Sequence, residues 1–107
     1  MKNENIYQGE LFKKIKEMLP GCIVMKNDPN YIQGIPDLTI VHGKKWATLE
    51  VKRSAKARKQ TNQPEYLEKM NKMSFSRFIY PENEKEVLDE LQQALQPRRS
   101  TRTIRSE

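Results

Sequence analysis

One cysteine, one histidine and one tryptophan stand in a chain of 107 residues. With Cys22 alone, no internal disulfide and no cysteine-rich zinc site can form, and the residue reads as a small thiol in a short apolar strand. His42, directly before Gly43, reads as a turn residue. No apolar run approaches the roughly 18 residues that would suggest a membrane span. The start also lacks the charged, apolar and small-residue segments of a secretory leader, so a cytoplasmic protein is expected. At this length one domain with a modest core is expected, and an active unit would borrow surface from a second copy.

Charge is what the chain has in quantity. Hydrophobic residues make up 36% and charged ones 32%, with a net charge of +6. That excess suggests a polyanionic partner, with nucleic acid ahead of a membrane because no basic amphipathic helix with an aromatic face is evident. Part of it lies at the end, where Arg98, Arg99, Arg102 and Arg105 face only Glu107. The rest concentrates where Lys44, Lys45, Lys52, Arg53, Lys56, Arg58 and Lys59 surround a single acid, Glu50. That acid is out of place in a purely electrostatic surface.

The pattern along the chain predicts an α/β domain. Tyr7, Leu11, Ile15 and Met18 form a helical stripe over residues 4–19, which Pro20 and Gly21 end. "CIVMK" reads as a strand and "NDPNYIQGIP" as a loop of turn formers. "DLTIV" and "WATLEVK" flank "HGKK" as an antiparallel hairpin. "RSAKARKQTN" is a charged connection, and Pro64 sits near the start of a helix that places Leu67, Met70 and Met73 on one side. "SRFIY" reads as a last strand. "ENEKEVLDELQQALQ" reads as a last helix with Val87, Leu88, Leu91 and Leu95 inward and Pro97 as its stop. The expectation is a mixed sheet flanked by helices, in the order αβββαβα over residues 1–96, followed by a basic, disordered tail at 97–107.

Alternation on a strand puts Trp46, Thr48, Glu50 and Lys52 on one face and Ala47, Leu49 and Val51 on the other. A turn at "HGKK" sets Asp37, at the start of one strand, beside Glu50 near the end of the next. Two adjacent carboxylates repel unless a cation lies between them, and hard oxygen ligands suit Mg²⁺ or Mn²⁺. With Lys52 alongside, the group suits phosphodiester hydrolysis. The spacing equally describes a solvated strand face with a weak ion pair.

"GIPD" followed by "EVK" resembles the PD-(D/E)XK nuclease motif, and the residues around it resemble the VRR-NUC family, especially its compact phage-type members. The likeness runs from Glu4 to about Tyr80. It implies a minimal restriction-endonuclease-like fold and a metal-dependent endonuclease acting as a homodimer on branched DNA such as Holliday junctions, in a bacterial or phage-infected cell. Asp37 and Glu50 would be the principal metal ligands, helped by Glu4 and the Val51 backbone carbonyl, with Lys52 as catalytic lysine. Gln63 matches the family's glutamine after the lysine motif, where its amide would bond a carboxylate, water or phosphate. Glu4 falls in line with Tyr7, Leu11 and Ile15, and Glu10, to one side of that stripe, is the reserve for the third acid. Gly34 and Pro36 match the family's "GxPD" approach to the strand.

Lys26 resembles a basic residue at the end of the family's first strand, and with Lys44, Lys45, Arg53, Lys56, Arg58 and Lys59 it is a candidate DNA contact. "SAKARKQTN" departs from the glycine and proline usual in the family's connection, and the tail has no clear counterpart there. Two other readings stand beside this one: a nuclease-fold DNA-binding or assembly module without turnover, and a basic helper whose binding falls with salt and needs no metal.

Overall fold

Asn3 sets the start of the first helix. Its side chain accepts a hydrogen bond from the Ile6 N–H at 2.8 Å, satisfying one of the donors a helix leaves open at its beginning. From there α1 (Glu4–Met18) buries Tyr7, Leu11 and Ile15. The computed structural model describes residues 3–60 and 62–96, so the basic tail expected at 97–107 lies outside the described residues.

After α1 come β1 (Ile23–Lys26), β2 (Leu38–His42), β3 (Lys45–Val51), α2 (Gln63–Met73), β4 (Phe75–Ile79), a 3₁₀ turn at Pro81–Asn83 and α3 (Glu84–Leu95). The strands lie side by side in chain order. The first three are antiparallel, and β4 runs parallel to β3 after the α2 crossover. The expected α/β architecture is what the chain adopts. Its one addition is the 3₁₀ turn: Pro81 begins it, and the side chain of Asn83 accepts from the Tyr80 N–H, so α3 starts at Glu84 rather than at Glu82.

The hairpin forms in the expected register, with Thr39 opposite Thr48 and Val41 opposite Trp46. Gly43 turns it with φ of 63°, a left-handed angle that favours glycine. One sheet face carries Val24, Leu38, Ile40, Ala47, Leu49 and Val51 into a core shared with α1 and α3. The phenol of Tyr7 donates to Glu84 at 2.9 Å, and Lys14 also pairs with Glu84, which ties the two helices together.

On the opposite face α2 covers β3 and β4. Asn71 accepts from the Ser76 N–H, and the Thr48 and Ser76 hydroxyls bond at 2.7 Å beneath the helix. This cover buries Thr48, Glu50 and Lys52 and removes the solvated-face reading of β3. Met73 departs from the expected inward side: it ends α2 and is 67% exposed. Leu88 packs against the core only in part. Among the described residues, no helix is long and apolar enough to cross a membrane.

Candidate active site

The end of the β2–β3 ladder brings the acids together. Pro36 has no N–H, and β2 begins only at Leu38, so the backbone cannot continue the pairing toward Val51. Side chains take over. The Val51 N–H donates to Asp37 Oδ2 at 2.9 Å, and the Asp37 N–H donates to Glu50 Oε1 at 3.2 Å. These reciprocal bonds set both carboxyls at one corner of the sheet.

Glu50 is held from two further directions. Gln63, the first residue of α2, donates from Nε2 to Glu50 Oε2 at 2.7 Å, while its own Oε1 accepts from the Gln60 N–H at 2.8 Å. Because the backbone amide occupies Oε1, the NH₂ end of Gln63 must face the carboxylate. Lys52 Nζ lies 3.5 Å from the same Oε2. Glu50 is only 2% exposed and Lys52 5%, so this is a buried ion pair, where removing one partner leaves a stranded charge.

The electrostatics are those of a site short of positive charge. Burial first, and then the charge of Asp37, push the Glu50 carboxyl up to about 8, against the pull of Lys52. Burial also pushes Asp37 up, while the Val51 N–H, Lys52 and Lys26 draw it back. Glu4, at the start of α1, is raised by burial against Lys52, with Asp37 adding to the rise and Arg53 opposing it. Glu4 therefore faces this centre. Glu10 lies instead along a neighbouring cavity with Lys14 and Glu84.

Among the described residues, no three His, Cys, Asp or Glu side chains form a ready metal-binding group. Asp37 and Glu50 make a pair, with Glu4 near enough to feel the charge of Asp37. The donor chemistry nevertheless fits a hard divalent cation, because these buried carboxylates, once ionised, carry negative charge that Lys52 only partly offsets. Val51 ends β3 between Glu50 and Lys52, and its N–H engages Asp37.

The basic candidates divide by position. Lys26, opposite Leu38, and Arg53, directly after Lys52, border the acids. Lys56, Arg58 and Lys59 are exposed on the following loop, where the Lys59 ammonium lies 4.8 Å from the centre of the Phe78 ring. Lys44 and Lys45 sit at the hairpin turn, the far end of β3. A strand of that length puts them about 20 Å from the acids.

One residue at this corner escaped the sequence reading. Asn27 donates from Nδ2 to the Pro36 carbonyl and to Thr39 Oγ1, both at 2.8 Å, and its backbone N–H donates to the Asp37 carbonyl at 2.7 Å. It thus braces the approach to Asp37 from behind. In a loop of turn formers that holds two asparagines, Asn27 carries no distinguishing signal. Asn27→Ala is expected to cost about 1–3 kcal/mol in urea unfolding and to speed amide exchange at Val51, whose acceptor is the braced Asp37 side chain. Unchanged exchange at Val51 would show that Asp37 needs no brace.

No protein-family model matches the chain, and neither a curated protein nor a solved structure matches it.

Proposed function

We propose that this chain is a metal-dependent DNA endonuclease that hydrolyses phosphodiester bonds in branched DNA, Holliday junctions among them, in the cytoplasm of a bacterial or phage-infected cell. The observation that supports it most is the buried Asp37–Glu50 pair held by Val51, Gln63 and Lys52. A structural ion pair gains little from a second buried carboxylate that raises the first. A site that receives a cation and a phosphate does.

Asp37 and Glu50 would hold Mg²⁺ or Mn²⁺, with Glu4 and the Val51 carbonyl as further oxygen ligands. When bound, such an ion supplies neutralising charge at the phosphate and lowers the pKa of water. The chain's own groups do the rest. Gln63 fixes the Glu50 carboxylate in one orientation. Lys52, held against Glu50 and unable to swing into solvent, presents its ammonium to a phosphate oxygen or to the attacking water. Lys26, Arg53, Lys56, Arg58 and Lys59 contact the DNA backbone near the cut, and Lys44 and Lys45 contact it farther along. Such contacts give affinity without sequence preference.

Two copies on a two-fold axis suit paired cuts in a symmetric junction. Ile23 and Met25, exposed on the edge strand, supply apolar surface for that contact. A binding module without turnover is the second reading, favoured by the fact that both Glu50 oxygens already accept hydrogen bonds.

The deciding experiment is cleavage of a labelled four-way junction, flap, single strand and plain duplex with Mg²⁺, Mn²⁺ or EDTA. Paired cuts in the junction, and cleavage of branched substrates far faster than of plain duplex, all abolished by EDTA, are expected. Tight junction binding with no cut under any metal would replace the enzyme with the binding module.

A further inference from the structure

Beside the acids lies a cavity of about 650 Å³ that the proposed chemistry does not use. Ile6, Tyr7 and Pro81 give it apolar walls, and Arg53 stands at its border with the centre, adjoining Lys52. Arg53 joins the two sites, since it lines the cavity and its charge acts on Glu4 at the acid centre.

The lining points to one kind of occupant. Its charged members cancel: Lys14 and Arg53 are matched by Glu10 and Glu84. Glu84 is already engaged by Tyr7 and Lys14. A phosphate gains no net attraction there. A neutral planar group does better, packed on Ile6 and Pro81 and stacked against the Arg53 guanidinium. Ile6 is 53% exposed on the first turns of α1, an apolar side chain left in water beside a concave site. The volume falls within the range of roughly 300–1,000 Å³ typical of ligand pockets.

We infer that this cavity takes an unpaired nucleobase adjoining the scissile phosphate. A paired base is locked in the stack and cannot enter a side pocket without being extruded. The pocket therefore selects DNA in which a nucleotide next to the cut is already free, as at a flap or the branch of a junction. The inference rests on the endonuclease reading, and it specifies what the enzyme recognises in branched DNA.

Two measurements test it. In EDTA, titration with deoxyadenosine 5′-monophosphate is followed by the NMR shift of the Ile6 methyl, with inorganic phosphate as control. The nucleotide is expected to shift Ile6 and phosphate is not. In Mg²⁺, the ratio of flap to duplex cleavage is compared between wild type and Ile6→Ser, and the ratio is expected to fall about tenfold. A tenfold loss corresponds to about 1.4 kcal/mol, the scale of one base stacked on a side chain. Equal shifts with phosphate and nucleotide, or an unchanged ratio, would overturn the inference. A nucleotide-specific Ile6 shift in a protein that cuts no DNA would support the pocket while removing the endonuclease reading.

Discussion

Asp37→Asn is expected to abolish metal-dependent cleavage and, at the same time, to stabilise the metal-free protein at pH 8. The two effects have one origin. The carboxylate of Asp37 raises its neighbour Glu50 and is itself raised by burial. Asparagine keeps an oxygen for the Val51 N–H, which Asp37 Oδ2 now accepts at 2.9 Å. Its NH₂ can replace like-charge repulsion with a hydrogen bond to Glu50. Glu50 then ionises more readily beside Lys52, and stability should rise by about 1–2 kcal/mol. Cleavage should fall about a thousandfold or more, because the remaining carboxylate cannot hold the cation alone and several kcal/mol of charge stabilisation is lost. Urea unfolding and junction cleavage on the same preparations measure both. Full cleavage by the variant would remove Asp37 from the site. Destabilisation with loss of cleavage would instead mark Asp37 as structural, since an active-site acid held against repulsion is one the fold gains by losing.

Much of that corner was legible in the residues, and the rest was decided by what covers it. The spacing of Tyr7, Leu11 and Ile15 predicts the buried stripe of α1, and "HGKK" predicts the turn that sets Asp37 beside Glu50. Alternation also puts Glu50 and Lys52 on one face of β3, but it cannot say whether that face meets water. α2 decides the matter by crossing over β3 and β4, which leaves Glu50 2% exposed. Met73, expected inward by the same periodicity, is the last residue of α2 and stays exposed. Gln63 was legible only through its likeness to a glutamine after the lysine motif, and its grip on Glu50 depends on the loop returning Gln60 to its Oε1. Asn27 could not be seen, because its role is made of backbone partners ten or so residues away whose approach no local pattern encodes. The choice between Glu4 and Glu10 was open on helical spacing alone. Asn3 fixes where the helix starts, and the charges acting on Glu4 are those of the acid centre.

A pH series on the metal-free protein should show stability falling from about pH 5 to above pH 8, the reverse of a protein held by ordinary carboxylate ion pairs. Glu50 titrates in the fold at about 8, well above an unfolded glutamate. Between the two values the folded chain binds more protons than the unfolded one, so each rise in pH favours unfolding. The contribution is fully present below the unfolded value, near 4.5, and is lost as pH passes through 8. Asp37 and Glu4 are raised too and act in the same direction. Tyr7, pushed up by burial and by Glu84, titrates far above this window and adds nothing within it. The fall should amount to on the order of 3 kcal/mol, read as a lower urea midpoint at pH 8.5 than at pH 5.5. Mg²⁺ or Mn²⁺ should recover most of it at pH 8.5 and little at pH 5.5, because a ligand of the ionised pair stabilises the fold by mass action only where the pair is ionised. Asp37→Asn should lessen the pH dependence, leaving the part due to burial, and remove the metal effect. A metal-free protein as stable at pH 8.5 as at pH 5.5 would mean that Glu50 is neither buried nor crowded by Asp37 as described, and the reason for a cation at this corner would go with it.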